Sequence, residues 1–260
     1  TAIKLAELGI KSLDDLKKGI KSGSLIEKGF SAKIAQNLMA GMMELSGRTG
    51  RILLPYAAEQ AKKVIEYLKK SKDVIDAHPL GSLRRMVATV GDLDFSASSN
   101  HPGKVVEYFC KMPSISRIVD QGENKAAVVL TSGLQLDLLV SQPDSYGALL
   151  QHFTGSKAHN IHLRTLAEKK GLSLSEYGIK KGGKLQDTAT EEEFYKWLGM
   201  QTPAPEIRED GGEIEAALAH KLPDLVELKN IKGDLHTHSN YPFEHPSHGP
   251  GADSIEEMIK

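Results

Sequence analysis

Apolar and polar positions alternate in three different ways along this 260-residue chain. In the first fifty residues, short helical periods are broken by glycine. Ile3 to Leu8 stops at Gly9, and Ser12 then stands as an N-cap with Asp15 three positions on. A second such unit begins at Gly29-Phe30-Ser31 and continues through Ala32 to Leu38, with Ile34, Leu38 and Met42 on one helical face. From Leu54 to Ser71 a longer pattern sets Ala61, Val64, Ile65 and Leu68 against Lys62, Lys63, Glu66, Lys69 and Lys70, which predicts a support helix packing its apolar side under a sheet. Strand-like runs follow at Val74 to Ala77, Leu93 to Ala97, Ser116 to Val119, Ala126 to Thr131 and Leu134 to Val140, interrupted by a helical stretch from Gly103 to Met112. A helix opened by Asp144 as N-cap carries Leu149, Leu150 and Phe153 inward to Thr154-Gly155-Ser156, and another runs through Ile161, Leu163 and Leu166 to Gly171. Helices and strands in non-alternating order predict a multi-domain α+β chain rather than a doubly wound sheet. Residues 199–215, polar and containing Pro and Gly, read as a chain leaving one domain.

Composition narrows the class. Apolar residues make up 40% of the chain, enough for real cores, and no run approaches the roughly 18 apolar residues of a membrane span. Thr1-Ala2-Ile3-Lys4 opens nothing like a signal peptide, and the single cysteine, Cys110, sits among Val106, Tyr108 and Phe109 as a small buried hydrophobe would. A reducing cytoplasm fits both. The net charge of −1 is unevenly spread: the first 72 residues hold 14 Lys and Arg against 7 Asp and Glu, a net of +7, which leaves 19 against 27, a net of −8. A basic front and an acidic back suggest that the first part touches a polyanion while the second holds metals. Lysines that merely solubilise helices would explain part of this.

The chemistry concentrates in GSLRRMVATVGDLDF, residues 81–95. Asp92 and Asp94 are two apart in a strand-like segment, which puts both carboxylates on one face. Their repulsion calls for a countercharge, and a divalent metal taking oxygen ligands is the usual one. Asp137 lies in Leu134 to Val140, where Leu136 and Leu138 face one side of a sheet and Asp137 the other. If the two strands are neighbours, three carboxylates converge as in a two-metal site for in-line displacement at phosphorus. Upstream, Gly81-Ser82 followed by Leu83-Arg84-Arg85 looks like a tight turn opening a short helix, whose backbone N–H groups and arginines would meet phosphate oxygens. Taken singly, GS is a common turn, DxD a solvated strand end and RR a surface pair. In this order, with a third strand-borne acid, they favour nucleotidyl transfer. Farther on, His236 and His238 form an H-x-H that on a strand would share a transition metal, whereas His101, His162 and His220 read as structural or exposed and His245 and His248 equally as loop residues or ligands.

Together these motifs resemble a bacterial or archaeal family X DNA polymerase. The resemblance covers nearly the whole chain, through GRILLPYAAEQA, GSLRRMVATVGDLDF, LQLDLLV, HFTGSKAHNIHLR, LSEYGI, PAPEIREDGGEIEAA and GDLHTHS in the family's order. It implies a helix-hairpin-helix fingers region over 1–52, a nucleotidyltransferase palm with a mixed sheet over 53–141, an α/β thumb over 142–200, a linker over 201–232 and the start of a PHP phosphoesterase domain over 233–260. By the same resemblance Asp92, Asp94 and Asp137 are the catalytic metal ligands, for Mg2+ with Mn2+ as an alternative. Gly81, Ser82, Arg85 and Gly91 hold the triphosphate, Phe153, Thr154 and Gly155 pass beside the sugar, and Asn160 reaches the base edge. Lys28, Gly29 and Lys33 belong to a DNA grip that holds phosphates without reading sequence.

The activity so implied is gap-filling DNA synthesis by a cytoplasmic monomer, with gapped or primer-template DNA and a dNTP as partners and no membrane. Alternatives on the same core are a template-independent or small-molecule nucleotidyltransferase and a weakly active DNA-binding fragment. The resemblance also places the family's N-terminal domain, and the later PHP ligands, outside this chain. With at most His236 and His238 contributed from that domain, no phosphoester hydrolysis is expected. Three positions depart from the family pattern: Ser31 stands for a glycine, Leu139 for a basic residue and His152 for a tyrosine.

Overall fold

Residues 5, 9–10, 12–27, 29–31, 33–34, 38, 51–233, 237–240, 251 and 253–259 are described by the computed structural model. They fall into two units, Thr1–Leu222 and Pro223–Lys260. In the first, Ser12 accepts the Asp15 N–H at 3.1 Å and caps α1 (Leu13–Lys21), as its position predicts. After α2 (Ser24–Glu27), Gly29 turns the chain at a φ of 88°, and Leu16, Leu25 and Phe30 close a small core against which Leu38 packs. That core is complete without Ile34, which stays 40% exposed rather than joining the expected inward face. Met42 and Lys28 lie outside the described residues.

The catalytic candidates sit on the next stretch. Strand β1 (Ile52–Leu53) leads into α3 (Leu54–Leu68), opened by a proline in its first turn, and α3 buries Ala57, Ala61, Val64 and Leu68. Then come β2 (Asp76–Pro79), the one-turn helix α4 (Gly81–Arg84), β3 (Thr89–Val90), β4 (Leu93–Ser98), α5 (Pro102–Phe109), β5 (Ile115–Gln121), β6 (Lys125–Leu130) and β7 (Gln135–Ser141). Five strands form one sheet in the order β2-β4-β7-β6-β5, in which β4 and β7 run parallel and the other pairs antiparallel. A parallel pair needs a long crossover, and α5 with the β5–β6 hairpin supplies it. One face, with Leu93, Phe95, Ala97, Leu136, Leu138 and Val140, packs in a single core with the buried sides of α3 and α5. The face opposite carries Asp94 and Asp137 beside Ser96 and Leu139, which pack with Tyr146. Cys110 ends α5 half-buried against this core, with its thiol pushed up by burial.

After a short 3-10 turn at Pro143–Ser145, α6 (Tyr146–Thr154) and α7 (Lys157–Lys169) precede a small sheet of β8 (Leu172–Ser175), β9 (Gly178–Lys181) and β10 (Lys184–Gln186). Then follow α8 (Glu191–Trp197), held by a full capping box between Thr190 and Glu193, and α9 (Glu213–Leu218). Two expectations need correction here. Asp144 makes no side-chain cap; it lies inside the 3-10 turn, and its carbonyl accepts the Thr188 N–H at 2.8 Å. Nor is 201–232 a linker throughout, because Arg208, Ile214 and Ala217 are buried and the Gln201 N–H donates to the Ala217 carbonyl. Proline and glycine there shape turns that fold the chain back onto a second core of Leu163, Ile179, Phe194, Tyr195 and Leu198.

In the second unit, the Glu227 N–H donates to Asn230 Oδ1 at 2.8 Å and Ser254 caps α10 (Ile255–Met258). None of its described residues is buried. His238 is exposed, and His236 lies outside the described residues. Among the described residues, no helix is long and apolar enough to cross a membrane.

Candidate active site

Asp94 on β4 stands directly opposite Asp137 on β7 in the register of the parallel pair. The alternation along β7 is strict: Leu136, Leu138 and Val140 are buried while Gln135, Asp137 and Leu139 turn to the other face. Asp92 is placed differently from expectation. β4 begins only at Leu93, so Asp92 lies on the exposed bend before it, where the period of two no longer governs its direction. It nonetheless contributes to the field. Burial raises the Asp94 carboxyl to about 6, and the charges of Asp92 and Asp137 push the same way. Asp137 is also raised, by burial first and by Asp92, against the 2.9 Å hydrogen bond that Gln135 Nε2 donates to its Oδ2.

Such mutually repelling, partly desolvated oxygen donors are the chemistry a hard divalent cation fits. Yet among the described residues no three His, Cys, Asp or Glu side chains are gathered for one ion as they stand. The convergence expected of the three acids is electrostatic here, with Gln135 holding Asp137 and Asp92 out on its bend.

The glycine turn is built against the same acid. The Leu80 N–H donates to the Asp94 carbonyl at 2.8 Å, and Gly81 follows at a φ of 57°. A Cβ on Gly81 would stand 2.8 Å from Asp94 Oδ2, so conformation and proximity both require glycine. Ser82, half-buried, accepts the Val87 N–H on its carbonyl and so closes the turn. Gly91 is exposed, and a Cβ there would meet only Arg51 Nη1 at 3.6 Å, an ordinary contact.

Both arginines of the turn are engaged. Arg84 donates to Thr154 Oγ1 and to Glu191 Oε2, each at 2.6 Å, and the other oxygen of Glu191 accepts from Arg208 Nη1 at 2.5 Å. Burial works to raise the Glu191 carboxyl, but Arg208 and Arg84 outweigh it and hold it below the ordinary value. Arg85 donates from Nε to Glu209 Oε1 at 2.6 Å and from Nη1 to the Thr154 carbonyl at 2.5 Å.

Arg85 lines a cavity of about 480 Å3 together with His152, Phe153, Thr154, Gly155, Lys157, Asn160 and Arg164. Gly155, at a φ of 71°, leaves room for Arg85, whose Nη1 would be 3.2 Å from a Cβ there. Asn160 is oriented from both ends, receiving Gln151 Nε2 and donating to the His152 carbonyl at 2.7 Å each. Burial lowers the His152 imidazole. Among the described residues, no acid lines this cavity.

Elsewhere, Lys33 is ion-paired with Asp120 on β5 at 2.9 Å. Sequence reasoning missed Glu191, Arg208 and Glu209, and the hold of Thr154 on both arginines, because these contacts join residues up to 124 positions apart. It also missed His159, fully buried between Glu213 at 2.6 Å and Tyr195 at 2.9 Å. The only local sign was that charged residues recur in EIRED where a bare linker would not need them.

Acids on neighbouring parallel strands, with a glycine turn packed against one of them, form the framework of a nucleotidyltransferase, which transfers a nucleotidyl group by displacement at phosphorus. Comparison with known proteins narrows that class. The family model of the DNA polymerase beta thumb matches residues 149–209. Over 259 residues, 98% of this chain and 44% of the relative, the sequence is 33% identical to the DNA polymerase/3'-5' exonuclease PolX of Bacillus subtilis (strain 168). Shorter matches join it to DNA polymerase lambda of Rattus norvegicus, 34% identical over 29% of this chain and 15% of the relative, and to DNA polymerase IV of Saccharomyces cerevisiae, 32% identical over 28% and 13%. These matches support a family X DNA polymerase, and the chain spans less than half the length of the relatives it matches. Members of the family use divalent metal ions.

Proposed function

We propose that this chain carries out gap-filling DNA synthesis, joining a deoxynucleotide to a primer 3′-hydroxyl with release of pyrophosphate. The observation that carries the reading is Asp94 opposite Asp137 with Gly81 packed against Asp94. Asp92, Asp94 and Asp137 would hold Mg2+, or Mn2+ in its place. Bound there, the ions supply Lewis-acid activation of the attacking oxygen and countercharge for the phosphates.

The remaining work falls to the chain itself. The Gly81-Ser82 turn offers backbone N–H groups to phosphate, and Arg85, Lys157 and Arg164 give the cavity a positive field for a triphosphate. Phe153 and Gly155 flank the sugar, and Asn160, held by Gln151 and the His152 carbonyl, faces the base edge. Above about pH 6 Asp94 is ionised and ready to act as a ligand. Gly29 and Lys33, with Lys28, grip the duplex through phosphates.

Primer extension on a gapped duplex, compared with the same primer lacking a template, tests this directly. Templated addition should require Asp94 and Asp137. Asp137→Asn should abolish incorporation while sparing nucleotide binding, and Asp92→Asn should lose both. Addition that ignores the template, or persists in Asp137→Asn, overturns the reading.

A further inference from the structure

The two arginines of the turn are paired with acids of different standing. Glu191, the partner of Arg84, is 8% exposed in its side chain and shared with the buried Arg208, so Arg84 cannot leave without taking a countercharge from a buried acid. Glu209, the partner of Arg85, is 49% exposed and, among the described residues, pairs with no other cation. Arg85 is itself 14% exposed and lines the cavity that holds Lys157 and Arg164.

We propose that Glu209 is a built-in competitor for phosphate: it holds the Arg85 guanidinium in the nucleotide-free protein and yields it when a triphosphate enters the cavity. The proposal rests on the nucleotide-binding role given to that cavity above. A guanidinium presents planar forks of N–H donors that match a carboxylate and a phosphate equally well, and one edge cannot serve both. Nη1 is already committed to the Thr154 carbonyl. An arriving phosphate therefore contends with Glu209 for Nε and its neighbouring edge.

The contest favours the triphosphate. Glu209 is half-exposed and regains water on release, whereas a triphosphate brings several negative charges into a cavity lined, among the described residues, by Arg85, Lys157 and Arg164 and by no acid. Release also needs no movement of the backbone. The neighbouring Arg208 is pinned by its donations to the Pro203 carbonyl at 3.0 Å and to Glu191, and its own carbonyl accepts the Ser156 N–H at 2.9 Å. Rotation of the Glu209 side chain is enough. A ligand with a single phosphate gains less from the cavity and loses more of its gain to the carboxylate, so the pair sharpens preference for the triphosphate.

The test is calorimetric titration of inorganic tripolyphosphate, without metal, into the wild-type chain, Glu209→Gln, Glu209→Ala and Arg85→Ala, with melting curves to confirm folding. Both Glu209 variants should bind about two- to fivefold more tightly than wild type, the range of a partly exposed ion pair. The gain should vanish when Arg85→Ala is added to Glu209→Gln. Wild type binding through Arg85 with Glu209 variants that bind equally or more weakly would overturn this inference alone, making Glu209 a support of Arg85. Tripolyphosphate that binds wild type and Arg85→Ala alike would overturn the nucleotide role of the cavity, and this inference with it.

Discussion

Asp94 and Asp137 face each other across two adjacent parallel strands, so each carboxylate lies in the field of the other. The folded protein holds the Asp94 proton up to about pH 6, whereas an unperturbed aspartate releases it near 3.8. Between those values the folded state binds a proton that the unfolded state has released, so stability falls as pH rises through the interval and stays lowered above it. Asp94→Asn, which does not titrate, should be more stable than wild type by on the order of 2 kcal/mol at pH 7.5, and this advantage should shrink toward zero near pH 4. Melting curves at both pH values check this, and a divalent ion at pH 7.5 should close the gap. An advantage that persists unchanged at pH 4 would mean that charge is not its origin.

Glu191 offers a contrasting case, because its charge is required rather than tolerated. Glu191→Ala leaves Arg84 and Arg208 facing each other without their common partner, and should cost about 3–5 kcal/mol in urea unfolding. Glu191→Gln keeps the shape and should cost less. A loss below about 1 kcal/mol for the alanine variant would show the pair to be solvated in solution.

Gly147, in the first turn of α6, receives the Thr190 carbonyl so closely that a Cβ would lie 2.1 Å from its oxygen. Gly147→Ala should therefore destabilise by about 3 kcal/mol, the upper end of overpacking effects, because backbone must move. Gly211→Ala, where nothing lies within 4 Å, is the control and should change little. Equal unfolding midpoints for the two would refute the contact.

Lys33 engages Asp120 across an exposed 2.9 Å pair. If Lys33 contacts a DNA phosphate, Lys33→Ala should reduce the slope of log affinity against log salt by just under one unit. Asp120→Asn should strengthen binding modestly by freeing the lysine. Fluorescence anisotropy on a gapped duplex at several salt concentrations reads both effects, and a slope unaltered in Lys33→Ala would remove it from the grip.

Strand β7 was legible in the sequence because Leu136, Asp137 and Leu138 alternate strictly, and α3 because its apolar residues recur at helical spacing. Asp92 was read as part of the strand because a period of two says which residues share a face but not where a strand begins, and β4 begins one residue later, at Leu93. The parallel pairing of β4 with β7 could only be supposed, since pairing is a long-range choice. Residues 201–222 were misread for a related reason: EIRED is polar by composition, yet Arg208 is fully buried because Glu191 supplies its countercharge. The polymerase motifs nevertheless pointed to the family through their order along the chain, information that no single element carries.

The chain Arg84–Glu191–Arg208 sets a limit on dissection. Arg84 belongs to the turn beside the large sheet, while Glu191 and Arg208 belong to the segment packed around α8. A cut after Ser141 would leave Arg84 an orphaned cation in one fragment and Glu191 a buried acid short of one partner in the other. Recombining halves from distant relatives would meet the same obstacle unless both ends of the ionic link were transplanted together. The two lobes are thus one heritable unit, even though each has its own core.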